Sequence, residues 1–351
     1  MARVSAGARL HFGFCNLSLS HERLYGALGL GLAEPRVVVD ATPADGVTVA
    51  VDGDGPPPAV DGSESALAAD VREYATIAAD LLAVDGATVV VRESLPRHAG
   101  LGSGTQLAAA TLAAVAAAHE KPAHVRERAP ALGRGGRSGI GVATFEGGGF
   151  VLDAGHPTAR FTTDRPADGA WTVPPVAARH RVPDDWRFLL VRPDVAPGRS
   201  GAGEDDAMRT AVERAEPGVA DRIAGIVTRR ALPSIATGSA ERFGAAVAEI
   251  GRLNGAWYAD EQGGVYRPPV GDVVASLSES SAVFGAGQSS WGPTVYGVTD
   301  ADHADAAATA GERALADAGV DGVVSVTAAA TGGARVRRDD GPRDESTEQQ
   351  H

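Results

Sequence analysis

Leu95-Pro96-Arg97-His98-Ala99-Gly100-Leu101-Gly102-Ser103-Gly104-Thr105-Gln106-Leu107-Ala108 joins a β-branched run, Ala87–Val91, to an alanine-rich segment, Thr105–His119. The run has the length and branching of a buried strand. The segment reads as a helix that ends near Lys121-Pro122. Between them, glycine leaves the backbone bare enough for an anion to come close. The first turn of a helix offers unpaired N–H groups and partial positive charge. Gly100, Leu101, Gly102, Ser103, Gly104 and Thr105 are therefore read as a phosphate cradle. Ser103 and Thr105 could add hydroxyl contacts or reach a metal. No lysine follows, so the segment is not a Walker A loop, and its glycine spacing does not fit a dinucleotide fingerprint. A helix entry without a ligand would use the same residues.

Working outward, Val4–Leu10 reads as an opening strand, and Tyr25–Glu34, Arg36–Ala41 and Val47–Val51 as further strands. Gly53–Gly62, with three consecutive prolines, is a loop. Ser63 is expected to cap a helix that runs to about Ala83. Past the cradle, Gly139–Phe145 and Phe150–Asp153 read as strands, and His156–Arg179 as an irregular crossing. Trp186–Arg192 is a strand, Pro193–Gly203 a loop and Glu204–Ala215 helical. Helices are expected over Val219–Leu232, Ala240–Ala256, Val270–Ser280 and Asp302–Ala318. Strands are expected over Ala282–Gly287, Thr294–Val298 and Gly322–Ala328. Thr331–His351 is charged, lacks large apolar residues and is expected to be disordered. Strands and helices without strict alternation indicate an α+β protein whose two halves divide somewhere in Thr158–Asp185.

Three other segments carry candidate site residues. Gln288, Ser289, Ser290 and Trp291 crowd a glycine-rich connection between two strands; an ordinary hairpin with Trp291 in the core is the alternative. Gly133–Gly141 places Arg134 and Arg137 on a pliable backbone suited to phosphate or carboxylate, or simply to solvent. Arg9 and His11 point to one face if Val4–Leu10 continues as a strand. The remaining histidines show no paired metal-ligand spacing, so no structural zinc is expected. A divalent ion would have to arrive with a phosphorylated substrate.

The chain has 351 residues, 44% of them hydrophobic but only 5% aromatic, so its core leans on Ala, Val, Leu and Ile. The formal net charge of −13 repels nucleic acid. No apolar run approaches the roughly 20 residues of a membrane helix. Met1–Leu10 shows no secretory leader, and the single cysteine, Cys15, cannot form an intrachain disulfide, so a cytoplasmic location is expected. Lys121 is the only lysine. Acid excess with so little lysine fits a high-salt cytoplasm, although a GC-rich genome would also favour arginine.

Pro96–Ala108 resembles the phosphate-binding motif of the GHMP superfamily of small-molecule kinases, in which a proline precedes a Gly-Leu-Gly-Ser-Ser turn that opens a helix. Here Gly104 stands at the second serine. Ser138-Gly139-Ile140-Gly141 is similar to the kinases' Ser-Gly-(apolar)-Asp segment, with Gly141 at the catalytic aspartate. Gly285-Ala286-Gly287-Gln288-Ser289-Ser290-Trp291 replaces their third, glycine-rich motif. These departures resemble one branch, the β-ribofuranosylaminobenzene 5′-phosphate synthase family. Arg9-Leu10-His11, Tyr25–Gly31, Gly198–Glu204 and Gly287–Gly297 also match it. The resemblance implies an N-terminal domain, 1–165, like the second domain of ribosomal protein S5, a ferredoxin-like domain, 166–330, and a disordered tail, 331–351. It further implies attack by an aromatic acid, 4-aminobenzoate or 4-hydroxybenzoate, on phosphoribosyl pyrophosphate, with magnesium on the pyrophosphate and loss of carbon dioxide. A homodimer is implied as well.

Under that reading Arg9, His11 and Arg137 serve catalysis, and the Gly100–Thr105 turn holds phosphate. Arg134, Gln288, Ser289, Ser290 and Trp291 bind substrate, with Trp291 or Tyr296 stacking on the ring, and Ser103 and Thr105 face the metal. An ATP-dependent kinase, with Asp153 replacing the missing aspartate, and a non-catalytic phosphometabolite sensor are the alternatives.

Overall fold

The computed structural model describes residues 1–52, 65–162, 166–196 and 202–338. The expected loop Gly53–Gly62 and the expected cap Ser63 lie outside these residues, as do 197–201 of the loop Pro193–Gly203 and 339–351 of the tail.

The first sheet has eight strands. β1 (Ala2–Asn16) pairs with β2 (Arg23–Pro43), which runs unbroken through the segments expected as two strands. β3 (Gly46–Val51) lies parallel to β4 (Gly86–Glu93), and β4 is antiparallel to β2. β5 (Phe150–Asp153) and β6 (His156–Pro157) pair with β2, and β7 (Val176–His180) with β5. The sheet thus reaches beyond position 165 and into a stretch expected to be irregular. The second sheet orders four antiparallel strands as β11-β8-β10-β9: β8 (Trp186–Pro193), β9 (Gly285–Gln288), β10 (Val295–Asp300) and β11 (Gly322–Thr327). Beyond it β12 (Arg335–Arg338) returns to pair with β1, so the expected disorder from Thr331 does not begin there. Arg3 on β1 and Arg92 on β4 pair with the buried Asp40 on β2, so side chains tie these three neighbouring strands together.

Eleven helices are described: α1 (Ala66–Leu82), α2 (Ser103–Ala118), α3 (Val125–Arg128), α4 (Ile140–Gly147), α5 (Ala202–Arg214), α6 (Pro217–Ile226), α7 (Leu232–Ala236), α8 (Ala240–Trp257), α9 (Ala259–Gln262), α10 (Val270–Ser278) and α11 (Ala304–Asp317). Ser65 caps α1, its hydroxyl accepting the Ala68 N–H. A π turn, Val227–Ala231, joins α6 to α7 where one helix was expected. The main error concerns Gly139–Phe145, expected as a strand. Its Ile, Val and Thr suit a strand locally, but the segment is buried as α4, where Thr144 Oγ1 donates to the Ile140 carbonyl. The Asp153 carboxylate accepts the Gly139 N–H at the start of this helix, where negative charge is stabilising.

Three layers of core position the site. α1 and α2 cover one face of the first sheet. α10 and α11 cover one face of the second. Between the two sheets, Leu10, Phe12, Leu28 and Leu30 from β1 and β2 join Phe188, Leu190, Tyr296 and Phe243 in one continuous cluster. α2 is buried from Gln106 to Ala117. Its run of alanines, too small to hold neighbouring elements away, lets it pass close beneath the sheet. That burial fixes where its N-terminus emerges.

Candidate functional site

α2 emerges into an open cleft of about 1480 Å³. The helix begins at Ser103, two residues earlier than expected, so Ser103, Gly104 and Thr105 form its first turn. Gly102 precedes it with φ +78° and Gly100 has φ +85°. Both conformations are strained for any residue with a Cβ. The turn is clasped by the β9–β10 connection: Ser289 Oγ donates to the Gly100 carbonyl at 2.7 Å, and Thr294 N–H to the Ala99 carbonyl at 3.3 Å. The geometry of this turn therefore depends on contact between the two sheets.

Arginines flank the helix terminus. Arg9, half-buried on β1, donates from Nη1 to the Gly100 carbonyl at 2.7 Å, and its side chain runs beneath Gly102. Burial lowers its pKa to about 10, with Glu204 opposing the shift, so it stays charged at neutral pH. Arg134 lies over the ring of Tyr74, 5.3 Å from its centroid, and donates to the Tyr74 hydroxyl. Arg137 pairs with Glu204 at 2.7 Å and Asp205 at 3.2 Å, both on α5. Arg9 and Arg134 thus bond neutral groups, whereas two carboxylates offset Arg137. The three arginines, equivalent in sequence, are not equivalent as anion ligands.

His11 sits beside Arg9 and is 5% exposed. Burial, reinforced by the Arg9 charge, lowers its pKa to about 3, so its imidazole is neutral at physiological pH. Its ring meets Phe14 edge-on at 4.9 Å. A neutral His11 can hydrogen-bond a substrate but is a weak base. We expect its ring signals in an NMR titration to stay constant between pH 5 and pH 8; a midpoint near 6.5 would contradict the buried placement. The linkage has a definite sign. Because the folded pKa is depressed, His11 contributes stability above pH 6.5 that is lost as pH falls toward 3.

Trp291 lines the cleft and packs on Tyr258, ring centroids 4.6 Å apart. Ser290 lines it with φ +56°. Gln288 and Ser289, expected to bind substrate, are occupied elsewhere. Gln288 joins the Arg267 N–H to the Ser290 carbonyl, and buried Ser289 accepts the His11 N–H at 3.1 Å. Both shape the loop. Leu101 contributes its carbonyl, which accepts the Arg9 N–H, while its side chain enters the core. Tyr296, a candidate for ring stacking, is fully buried and bonds the Val247 carbonyl, because inward residues of β10 face α8.

Asp153, the candidate replacement base, is also buried and accepts N–H groups from Gly139 and Gly155. Burial raises its pKa to about 6 against those hydrogen bonds. The structure makes it a brace for the Ser138 loop. Burial, with Asp153 adding to it, pushes the Cys15 thiol up to about 12, which rules out an activated thiolate. Tyr74, Glu204 and Asp205 were not singled out as site residues. Tyr74 sits in the amphipathic pattern of α1 like any core aromatic, 60 positions from its partner Arg134.

Position 104 and position 141 have steric consequences. A Cβ at Gly104 would lie 3.0–3.2 Å from the Arg134 guanidinium. A Cβ at Gly141 would lie 2.8 Å from Thr105 Cγ2. Arg134 therefore occupies space that a side chain at 104 would claim, and Thr105 fills the space of any side chain at 141. For magnesium, the protein oxygens at the turn are the Ser103 and Thr105 hydroxyls, with Arg134 adjacent. Among the described residues no group of three or more His, Cys, Asp or Glu side chains is placed to hold a metal ion. This donor set fits an ion carried mainly by substrate oxygens and not a protein cage.

The architecture is that of the GHMP class. A family model described as GHMP kinases N terminal domain matches residues 66–149, and one described as GHMP kinases C terminal matches 231–317. Homoserine kinase from Cytophaga hutchinsonii superposes with a TM-score of 0.62 at 16% identity, covering 96% of this chain and 97% of that one. Mevalonate diphosphate decarboxylase from Staphylococcus aureus gives 0.64 at 14%, covering 96% and 99%. At such identities the likeness is one of fold.

Sequence similarity narrows the class. The β-ribofuranosylphenol 5′-phosphate synthase of Methanothermobacter thermautotrophicus is 34% identical over 300 residues, 85% of this chain and 88% of that protein. The protein of the same name from Archaeoglobus fulgidus is 30% identical over 86% and 89%. The chain belongs to the β-ribofuranosylphenol 5′-phosphate synthase family.

Proposed function

We propose that this chain transfers a ribosyl 5-phosphate group from phosphoribosyl pyrophosphate to 4-hydroxybenzoate, releasing pyrophosphate and carbon dioxide. The observation that carries the reading is the meeting of the α2 N-terminus with Arg9 and Arg134, two guanidinium groups bonded to neutral partners, in one cleft. The relatives are named for a phenol product. That favours the hydroxy acid over 4-aminobenzoate, a choice that composition and motif left open.

The chemistry matches the groups at hand. The anomeric C–O bond breaks and its electron pair leaves on pyrophosphate. The ring carbon bearing the carboxylate supplies the pair for the new C–C bond. The C–CO₂ bond then breaks, its pair restores the aromatic ring, and carbon dioxide departs. Catalysis rests on stabilising the departing anion with fixed donors. The N–H groups of Ser103, Gly104 and Thr105 and the Arg134 charge face that role. Arg9, beside His11 and Trp291, lies on the other flank, where it meets the acceptor carboxylate and holds the ring near Trp291. No covalent intermediate is needed, in keeping with the unreactive Cys15. Magnesium, brought by the pyrophosphate, would neutralise further leaving-group charge, with the Ser103 and Thr105 hydroxyls to hold it.

A kinase reading meets physical obstacles. Thr105 leaves no space for an aspartate side chain at 141, and Asp153 is committed to backbone N–H groups. Among the described residues no helix is long and apolar enough to cross a membrane. A cytoplasmic enzyme acting on small molecules, its acidic surface suited to high salt, completes the proposal. Supplying purified protein with 4-hydroxybenzoate and either phosphoribosyl pyrophosphate or ATP discriminates the readings. A carbon-linked riboside phosphate formed only with the former supports ours; ADP formed with the latter refutes it.

A further inference from the structure

Resting on that reading, we infer that Tyr74 is a positioning residue: it seats Arg134 in the space left by Gly104, so that Arg134 serves the pyrophosphate and not the acceptor carboxylate. Sequence treats Arg134 as one of several cations on a loop. The structure gives it a defined seat. Its guanidinium lies over the Tyr74 ring and donates to the Tyr74 hydroxyl. Its main chain is held on both sides, with the Arg134 N–H on the Ala129 carbonyl at 2.9 Å and the Trp171 indole on the Arg134 carbonyl at 2.9 Å. The same guanidinium stands 3.0–3.2 Å from the point where a Cβ of residue 104 would be. Residue 104 is in the first turn of α2, whose N–H groups have no partner within the helix. Arg134 Nε is buried and has no partner among the described residues. A planar cation fixed against the positive end of a helix is arranged for an anion that bridges both. Two like charges brought together in this way are favourable only when an anion occupies the space between them. The phenol acts as acceptor and stacking surface at once, orienting the fork without cancelling its charge. A carboxylate in place of Tyr74 would cancel it, as Glu204 and Asp205 do for Arg137.

Two variants test this from opposite sides. Tyr74→Phe keeps the ring and removes the acceptor. Gly104→Val pushes the guanidinium aside, yet Gly104 has no positive φ and valine is the better helix former, so folding should persist. With inorganic pyrophosphate and magnesium as the probe, calorimetric titration should show binding weakened about tenfold in each variant, the scale of one charge-assisted hydrogen bond. The KM for phosphoribosyl pyrophosphate should rise, or kcat fall, by a similar factor, while the KM for the aromatic acid and the Tm of the Gly104→Val protein hold. If both variants bind pyrophosphate and turn over like the wild type, the inference is wrong. A rise confined to the aromatic acid's KM would assign Arg134 to the carboxylate and overturn it too. If the wild type itself neither binds pyrophosphate nor consumes phosphoribosyl pyrophosphate, the functional reading falls together with this one.

Discussion

Gly100→Ala is expected to abolish turnover and to lower the Tm by about 5–10 °C, as read by thermal unfolding. Two costs add. Gly100 holds φ +85°, which charges an L-residue roughly 1–2 kcal/mol. The new Cβ would also fall 2.1 Å from the Ser289 carbonyl oxygen. That atom is backbone and cannot swing away, so the turn and the β9–β10 connection must separate, at a further cost of about 1–3 kcal/mol. The functional loss follows from the same movement. The Gly100 carbonyl accepts from both Arg9 and Ser289, so displacing it shifts the guanidinium and the loop carrying Trp291 together. Gly319→Ala is the control. Its φ is +66° and nothing lies within 4 Å of the added Cβ, so it should show the strain alone and keep full activity. Comparable losses in the two variants would mean that strain, not the clasp, governs the effect.

Arg9→Met is the second large effect. Methionine can fill the buried channel under Gly102, so packing is largely kept while the charge is removed. We expect kcat/KM for the aromatic acid to fall about 100-fold, the order expected for one buried charge–carboxylate contact. Arg137→Gln should cost much less in substrate affinity, because Glu204 and Asp205 already offset that charge. Its main effect should be on contact between the Ser138 loop and α5. Steady-state kinetics with each substrate varied in turn separates the two. Equal losses for both variants would contradict the distinction drawn between these arginines.

How much of this could be read from residues alone depends on the range of the signal. The strand–turn–helix of the cradle is local: glycines, a helix former and an apolar run follow one another, and the structure places them in that order, with the helix starting two residues earlier, at Ser103. α8 and β8 were legible for the same reason. α4 was not. Ile140, Val142 and Thr144 favour a strand by intrinsic preference, and only the surrounding core, with Asp153 at the helix start, selects the helix. β12 was missed because Arg335–Arg338 has no hydrophobic alternation that one face of a sheet would impose. Its strand is defined by pairing to β1, more than 300 positions away.

Among the candidate residues, Arg9, His11, Arg134, Arg137, Ser290, Trp291 and every cradle residue except Leu101 reach the cleft. Gln288 and Ser289 were marked as binders because small polar residues cluster there, yet the same chemistry serves a loop that must satisfy its own backbone groups. What separated the arginines was the identity of their partners. Tyr74, Glu204 and Asp205 are distant in sequence, and no spacing rule connects them to the Gly133–Gly141 loop. The emptiness of positions 104 and 141 reads as two missing kinase residues in sequence. In three dimensions those positions are taken by Arg134 and Thr105, so the loss of one chemistry and the space for another are the same fact.

The most direct test follows carboxyl-labelled 4-hydroxybenzoate with phosphoribosyl pyrophosphate and magnesium, measuring labelled carbon dioxide and pyrophosphate in the same reaction. The account predicts that the two appear together, one for one, and that neither appears when either substrate is omitted. Pyrophosphate released without carbon dioxide, or release of neither while ATP is consumed in its own assay, would contradict it.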